Sequence, residues 1–237
     1  MSPERNTDKA TPFGEQYHSA VRRNYPLKAR LRDMFATWKQ PAAFAALIDA
    51  LPQGARVLDA GCGQGTVLAK MKAYRPDLEL FGVDFAPAGD VPGATILAGD
   101  ITRLPFPDGD FHLVFTRQVL EHVPDNLGMI KELGRVLRSG GKLYVDCPDV
   151  RNIMPWSPLS FWEDPTHIRP YTRDGLRRLF ELCGLEPKKA GRMRDWRLVT
   201  LGVFYLPVAW SARDPFFARH WLANICGVFI YGIATKP

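Results

Sequence analysis

Residues Ala55 to Gly65, ARVLDAGCGQG, constrain this chain more than any other stretch. They hold a short apolar run, an aspartate where that run ends, and glycines at Gly61, Gly63 and Gly65. The pattern predicts a buried strand feeding a tight loop, because glycine accepts positive φ and lets a backbone pass close to a ligand. A dinucleotide-binding turn reads G-x-G-x-x-G, which places its third glycine at Thr66 when counted from Gly61 and Gly63. Here it falls one position early, at Gly65. The loop reads as a binding loop whose ligand must be identified from the rest of the chain.

Around it lie more short apolar runs. A helical pattern over Pro41 to Leu51 precedes the first strand, Arg56 to Asp59, and runs at Glu79 to Asp84, Ala94 to Ala98, Phe111 to Phe115 and Lys142 to Asp146 follow. Between the last two, Leu127, Ile130, Leu133, Gly134 and Leu137 recur at helical spacing from about Asp125 to Leu137. Gly140-Gly141 reads as that helix's stop. A further helix, Asp174 to Cys183, stops at Gly184, with strands predicted at Leu185 to Arg192 and Gly227 to Ala234. The sum is an α/β fold, a mostly parallel sheet with helices on both faces and an antiparallel C-terminal strand. FAPAGDVPGAT, after Asp84, carries two prolines and several turn points, so a loop is expected there in place of a crossover helix.

In such a sheet a ligand lies beyond the carboxyl ends of the strands. Those ends carry Asp59, Asp84 and Gly99-Asp100-Ile101. A carboxylate accepts two hydrogen bonds from a vicinal diol, which suits Asp84 to a ribose, and one at the third strand end suits an adenine amine. Each aspartate taken singly also reads as a cap or turn residue. Three at successive strand ends favour a ligand.

VLDAGCG, GVDFAP, GDITRLPFPDGDFHLVFTRQVLEHV and ELGRVLRSGGKLYVDCPD, in that order over about Ala55 to Val150, resemble the motifs of the class I S-adenosylmethionine (SAM)-dependent methyltransferases of type 11. The resemblance implies a Rossmann-like methyltransferase fold with SAM as cofactor. It implies Asp59 and the loop of Gly61, Cys62, Gly63 and Gly65 beside the methionine part, Asp84 on the ribose, and Asp100 with Ile101 on the adenine. Thr116, Arg117, Gln118 and Val119 would line the sulfonium side. Phe85 is the expected apolar wall of the adenine.

Two histidines are candidate catalytic bases, since imidazole titrates in the useful range. His122, in VLEHV, follows the fourth strand, and it also reads as a residue that merely orients the loop and Glu121. His167 lies in FWEDPTHIRPYT, inside a segment from Arg151 to Tyr171 that reads as a substrate lid. Its Trp156, Phe161, Trp162 and Tyr171 beside a few polar groups suit a sugar or other amphipathic acceptor. Its D-P-T-H-x-R-P string is similar to one in methyltransferases associated with cell-surface glycans. No metal is expected, because Asp164 and His167 offer two ligands without others at compatible spacing.

A chain of 237 residues suits one domain with insertions. The expected division is an N-terminal segment with a cap helix over 1–40, a SAM-binding core over 41–150, the lid over 151–171, and a C-terminal part over 172–237. That last part holds an aromatic-rich insertion at about 194–222. A net charge of +6 suits an anionic partner without choosing one, and no recognised RNA-binding module accompanies it, so nucleic acid is not expected. Four widely spaced cysteines without a C-x-x-C pair fit a reducing compartment, and with no signal-peptide core after Met1 the expected location is cytoplasmic. The apolar run Leu198 to Trp210 is short of the ~20 residues that span a bilayer. It admits three uses: contact with the inner membrane face, a cover over the substrate, or a homodimer interface.

The expected activity is methyl transfer from SAM to a hydroxyl of a small-molecule or glycan-like acceptor, lipid-linked acceptors included. Competing readings are a catalytically silent SAM-binding scaffold that docks at a membrane, and an NAD-dependent oxidoreductase.

Overall fold

The computed structural model describes residues 41–153, 161–193 and 227–237. The expected cap helix with Tyr17 and Tyr25, the lid stretch around Trp156, and the aromatic insertion at about 194–222 lie outside the described residues. The described elements are α1 (Ala42–Asp49), β1 (Arg56–Ala60), α2 (Thr66–Tyr74), β2 (Glu79–Asp84), β3 (Ala94–Ala98), β4 (Phe111–Arg117), α3 (Asn126–Val136), β5 (Leu137–Pro148), α4 (Arg173–Leu182), β6 (Glu186–Arg192) and β7 (Phe229–Thr235). Short 3-10 turns occupy Leu120–His122, Val150–Ile153 and Phe161–Glu163.

Seven strands form one sheet in the order β3-β2-β1-β4-β5-β7-β6. The first five run parallel, and β7 lies antiparallel between β5 and β6. Strand periodicity of two sorts the core onto two faces. Val57, Leu113, Phe115 and Tyr144 point to one face, where Phe44 and Ile48 of α1 and Leu68 and Met71 of α2 cover them. Leu58, Val114, Leu143 and Val145 point to the other, under Met129, Ile130 and Leu133 of α3 and Leu176 and Phe180 of α4. Because both faces are covered, the central strands are apolar almost without interruption.

The helices start where side chains satisfy their first N–H groups. Asp125 accepts from the Gly128 N–H at 2.8 Å, and Thr172 accepts from the Gly175 N–H at 2.9 Å. No helix joins β2 to β3. That stretch instead lies against the glycine loop, with the Ala88 N–H donating to the Gly63 carbonyl at 3.1 Å and Val91 buried.

Two local expectations are corrected. Gly140-Gly141 does not stop α3, which ends at Val136 with Leu137 already extended. The glycines belong to β5, where the Gly140 N–H donates to the Lys236 carbonyl at 2.9 Å and the Lys236 N–H to the Gly141 carbonyl at 3.0 Å. Gly140 has φ +74°, which suits that pairing to the chain's far end. Leu127 is 42% exposed, and Met129 and Val136 bury in its stead. Among the described residues no helix is long and apolar enough to cross a membrane, and Cys62, Cys147 and Cys183 are free thiols.

The ring of Phe44 lies 4.9 Å from that of Phe115 and 4.7 Å from that of Tyr144, with the side chain fully buried. F44A is expected to cost about 3–5 kcal/mol in urea unfolding with the m-value unchanged. A cost under about 1 kcal/mol would mean that α1 is dispensable to the core.

Candidate active site

The chain travels outward from β1 to β3 and then returns to β4 on the other side of β1. This reversal puts the loops after β1 and β4 side by side at the carboxyl ends of the strands, where open α/β sheets bind ligands. The two loops carry the glycines and the segment Gln118 to His122.

Gly61, Gly63 and Gly65 all take positive φ, at +89°, +52° and +70°. The loop they form is tied to the neighbouring strand, since the Gly61 and Cys62 N–H groups both donate to the Val83 carbonyl, at 2.7 and 3.1 Å. A Cβ on Gly61 would collide with Val119, so at this point the two loops touch backbone to side chain. A Cβ on Gly63 would meet nothing within 4 Å, so that backbone faces open space. Cys62 reaches the loop through its backbone alone. Its side chain is buried beside Gly82, where burial pushes the thiol up to about 12.

Asp84 ends β2 with its carboxylate on the same rim. One oxygen accepts from the Gly63 N–H at 2.8 Å and the other from the Ala86 N–H at 3.1 Å. Phe85 beside it is 62% exposed. Asp100 folds back on its own turn, with one oxygen accepting from the Thr102 N–H at 2.8 Å and the Thr102 hydroxyl at 2.7 Å, and Ile101 is buried. Asp59 is buried to 3% exposure at the end of β1.

At the end of β4 the structure adds a residue that the sequence reading did not single out. Asp146 of β5, 1% exposed, accepts from Arg117 Nε at 2.6 Å and from Gln118 Nε2 at 2.9 Å, while its carbonyl accepts from the Gln118 N–H at 3.0 Å. Gln118 is held at φ +54°, a strained setting for a residue with a side chain. Arg117 therefore does not simply line the ligand side. Its guanidinium pairs with Asp146 and lies 5.5 Å over the ring of Phe44. Thr116 is fully buried with its hydroxyl lacking a hydrogen-bond partner.

Both expected histidines stand together just beyond Val119. Their rings lie 4.7 Å apart. His122 Nδ1 is 2.7 Å from Thr166 Oγ1, and that hydroxyl donates its proton to Asp164 at 2.6 Å, so His122 Nδ1 carries a proton and donates to the threonine. His167 Nδ1 is 2.6 Å from the Phe161 carbonyl, which can only accept. In each neutral ring the lone pair is thereby assigned to Nε2. Burial and the neighbouring His167 hold His122 below the usual imidazole range. Glu121 is 1% exposed, one of its oxygens has no hydrogen-bond partner, and burial pushes its carboxyl up to about 8. The segment that carries His167 is pinned to this turn by the Ile168 N–H, which donates to the Glu121 carbonyl at 2.8 Å.

The residues present fit the expected cofactor. The rim supplies open space over Gly63, a carboxylate for a diol at Asp84 and an exposed aromatic at Phe85.

Burial pushes Asp59 up to about 8, against the pull of Arg117, with Asp84 and Asp146 adding repulsion. Its folded pKa thus lies above the unfolded value of roughly 3.9. The folded chain keeps a proton that the unfolded chain releases, so stability falls as pH rises between about 4 and 8. D59N removes this effect. Without cofactor, its melting midpoint is expected to gain on the wild type steadily from pH 5 to pH 8, whereas a constant difference would mean that Asp59 is ionised throughout.

Comparison with known proteins agrees with this geometry. The profile of the methyltransferase-domain family matches residues 30–189 and names no finer subfamily. An uncharacterised methyltransferase of Schizosaccharomyces pombe is 30% identical over 193 residues, covering 72% of this chain and 66% of that protein. The 2-methyl-6-phytyl-1,4-hydroquinone methyltransferase of Synechocystis sp. is 34% identical over 214 residues, covering 80% and 64%. The chain spans 48% to 66% of the length of the curated relatives that match it first. Phosphoethanolamine N-methyltransferase 2 of Haemonchus contortus, solved with SAM, superposes with a TM-score of 0.65 at 17% identity, covering 84% of this chain and 53% of that one, a likeness of fold. With the profile running from before α1 into β6, the chain belongs to the methyltransferase-domain family and has the fold of the class I SAM-dependent methyltransferases.

Proposed function

We propose that this chain transfers a methyl group from SAM to a small-molecule acceptor, and that the acceptor presents a hydroxyl. The observation that carries the reading is the continuity of the rim. Gly61 touches Val119, and within three residues of Val119 stand Glu121 and His122, with His167 brought against them. Cofactor loop and polar cluster thus adjoin. The family match does not favour the oxidoreductase reading, and the silent-scaffold reading has no observation of its own.

The bound cofactor supplies an activated methyl group, so the protein's task is to hold, align and exclude water. Alignment alone is worth up to about 7–11 kcal/mol in well-oriented reactions. In this reading the glycine loop and Asp59 would take the methionine part, Asp84 the ribose diol, and Asp100 with Ile101 the adenine edge, with Phe85 covering it. Thr116 to Val119 would close the sulfonium side. The acceptor's hydroxyl would face His122 and His167, whose assigned Nε2 lone pairs suit an O–H donor. Trp162 and Ile168, 59% and 50% exposed on the lid, put apolar surface beside that polar cluster, which supports an amphipathic acceptor, glycan-like or lipid-linked. The Synechocystis relative is named for a small-molecule acceptor, which supports that class.

A thermal-shift series decides the cofactor. SAM and its demethylated product at about 100 times their dissociation constants are expected to add about 2.7 kcal/mol, and NAD nothing. Stabilisation by NAD alone would sink the proposal. D84A is expected to weaken binding of the demethylated product by about 10- to 100-fold, the worth of one charged hydrogen bond. Unchanged affinity would remove Asp84 from the ribose. Turnover of labelled SAM with a small-molecule extract should label a non-protein product; binding without labelling in any extract would favour the scaffold reading. For the loop, G61A is expected to lose cofactor binding, and G61A/V119A to regain part of it, since the second change relieves the collision but not the positive φ.

A further inference from the structure

We propose that Glu121, His122 and His167 form a binding site for one divalent transition-metal ion, zinc being the best match to the ligand set. One candidate ligand atom from each residue lies within 4.8 Å of the other two. Two ligands of a tetrahedral zinc at about 2.0–2.1 Å are about 3.3 Å apart, so the ligand atoms would have to draw in by at most about 1.5 Å as the ion binds.

Three independent features make this cluster a prepared site. The first is Glu121, a carboxyl group 1% exposed that lies beside the two imidazoles with an oxygen lacking any hydrogen-bond partner. A buried polar oxygen left in that state is costly, and a cation bound there in place of the acid proton would offset the cost. The second is the histidine tautomers. Metal-binding histidines generally donate their second ring N–H to a carboxylate, carbonyl or hydroxyl, which orients the ring and fixes the lone pair on the other nitrogen. Here His122 Nδ1 donates to Thr166 Oγ1, itself anchored on Asp164, and His167 Nδ1 donates to the Phe161 carbonyl. Both rings are thus held with Nε2 as the ligand atom. The third is composition, since two imidazoles and one carboxylate match catalytic zinc sites, which keep one position for an exchangeable ligand.

This differs from the expected absence of a metal, which weighed Asp164 with His167. Asp164 instead stands one hydroxyl away from His122, in a supporting place. The residue that completes the set is Glu121, remote in sequence from His167 and joined to the lid by the Ile168 hydrogen bond. With an ion bound, both Nε2 lone pairs would be taken up by it, so the acceptor's hydroxyl would meet the ion's open position in place of the bare imidazoles, and an oxygen bound there would become more acidic. That use rests on the methyl-transfer reading; the site itself does not.

The test uses the full-length, tag-free chain stripped with a chelator. Titration with Co2+ is expected to give visible d–d absorption saturating at one ion per chain, and Zn2+ to displace it. E121Q and H167A should each weaken Zn2+ binding at least about 100-fold, and T166V, which keeps all three ligands, about 10- to 100-fold. T166V keeps the test decisive if E121Q does not fold. No Co2+ band in the wild type, or Zn2+ affinity unchanged in H167A and T166V, overturns the site. Binding of the demethylated cofactor product is measured in parallel by thermal shift. Retained product binding without metal binding removes this inference alone, whereas metal binding without product binding removes the methyltransferase reading and leaves the site.

Discussion

The rim of this protein depends on one half-buried cation paired with a buried carboxylate. Arg117, at the end of β4, is paired with Asp146 on β5, and its charge also acts on Asp59 at the end of β1. Three neighbouring parallel strands therefore finish in a single electrostatic cluster. Breaking a buried ion pair by removing one partner typically costs about 3–5 kcal/mol, because the remaining charge has nowhere to go. Asp146 is unusually committed, since its two carboxylate oxygens take Arg117 and the Gln118 amide while its carbonyl takes the Gln118 N–H. Gln118 consequently cannot relax from its positive φ. That residue turns the chain sharply out of β4, and the turn places Val119 on Gly61 and Glu121 and His122 beyond it. The glycine loop and the cluster of Glu121, His122 and His167 are registered to each other through this one pair.

Much of the framework was legible because it is local. Strand ends at Asp59, Asp84 and Asp100 and the glycine spacing follow from short patterns, and the proline-rich stretch after Asp84 was correctly read as a loop. What escaped was set by long-range pairing. Asp146 looked like the end of an apolar strand, and its role appears only when the register sets Arg117 opposite it. Gly140-Gly141 obeyed a helix-stop rule, yet the chain's last residues return as a neighbour and give those glycines backbone partners. Leu127 fitted the helical period, but α3 is rotated so that Met129 meets the sheet. In the site, both histidines were picked from sequence, while their meeting with Glu121 needed the lid to fold back onto the turn after β4. An E-H pair beside an apolar strand signals little by itself; a buried carboxylate next to a second imidazole signals more.

The two halves of the rim are built by different means, and this bears on how such a chain changes its chemistry. The half around the glycine loop is mostly backbone. Glycine φ values and amide-to-carbonyl bonds between adjacent strand ends shape it, and few side chains there can vary without closing the space they frame. The half around His122 and His167 is mostly side chain, presented by a segment fastened through the Ile168 bond to Glu121 and the bridge between Asp149 and Tyr171. Glu121 belongs to both halves, because it lies on the turn that Arg117 and Asp146 position and yet stands beside His167. A change there acts on the turn after β4 and on the cluster with His167 alike, so residue 121 couples the two halves of the rim.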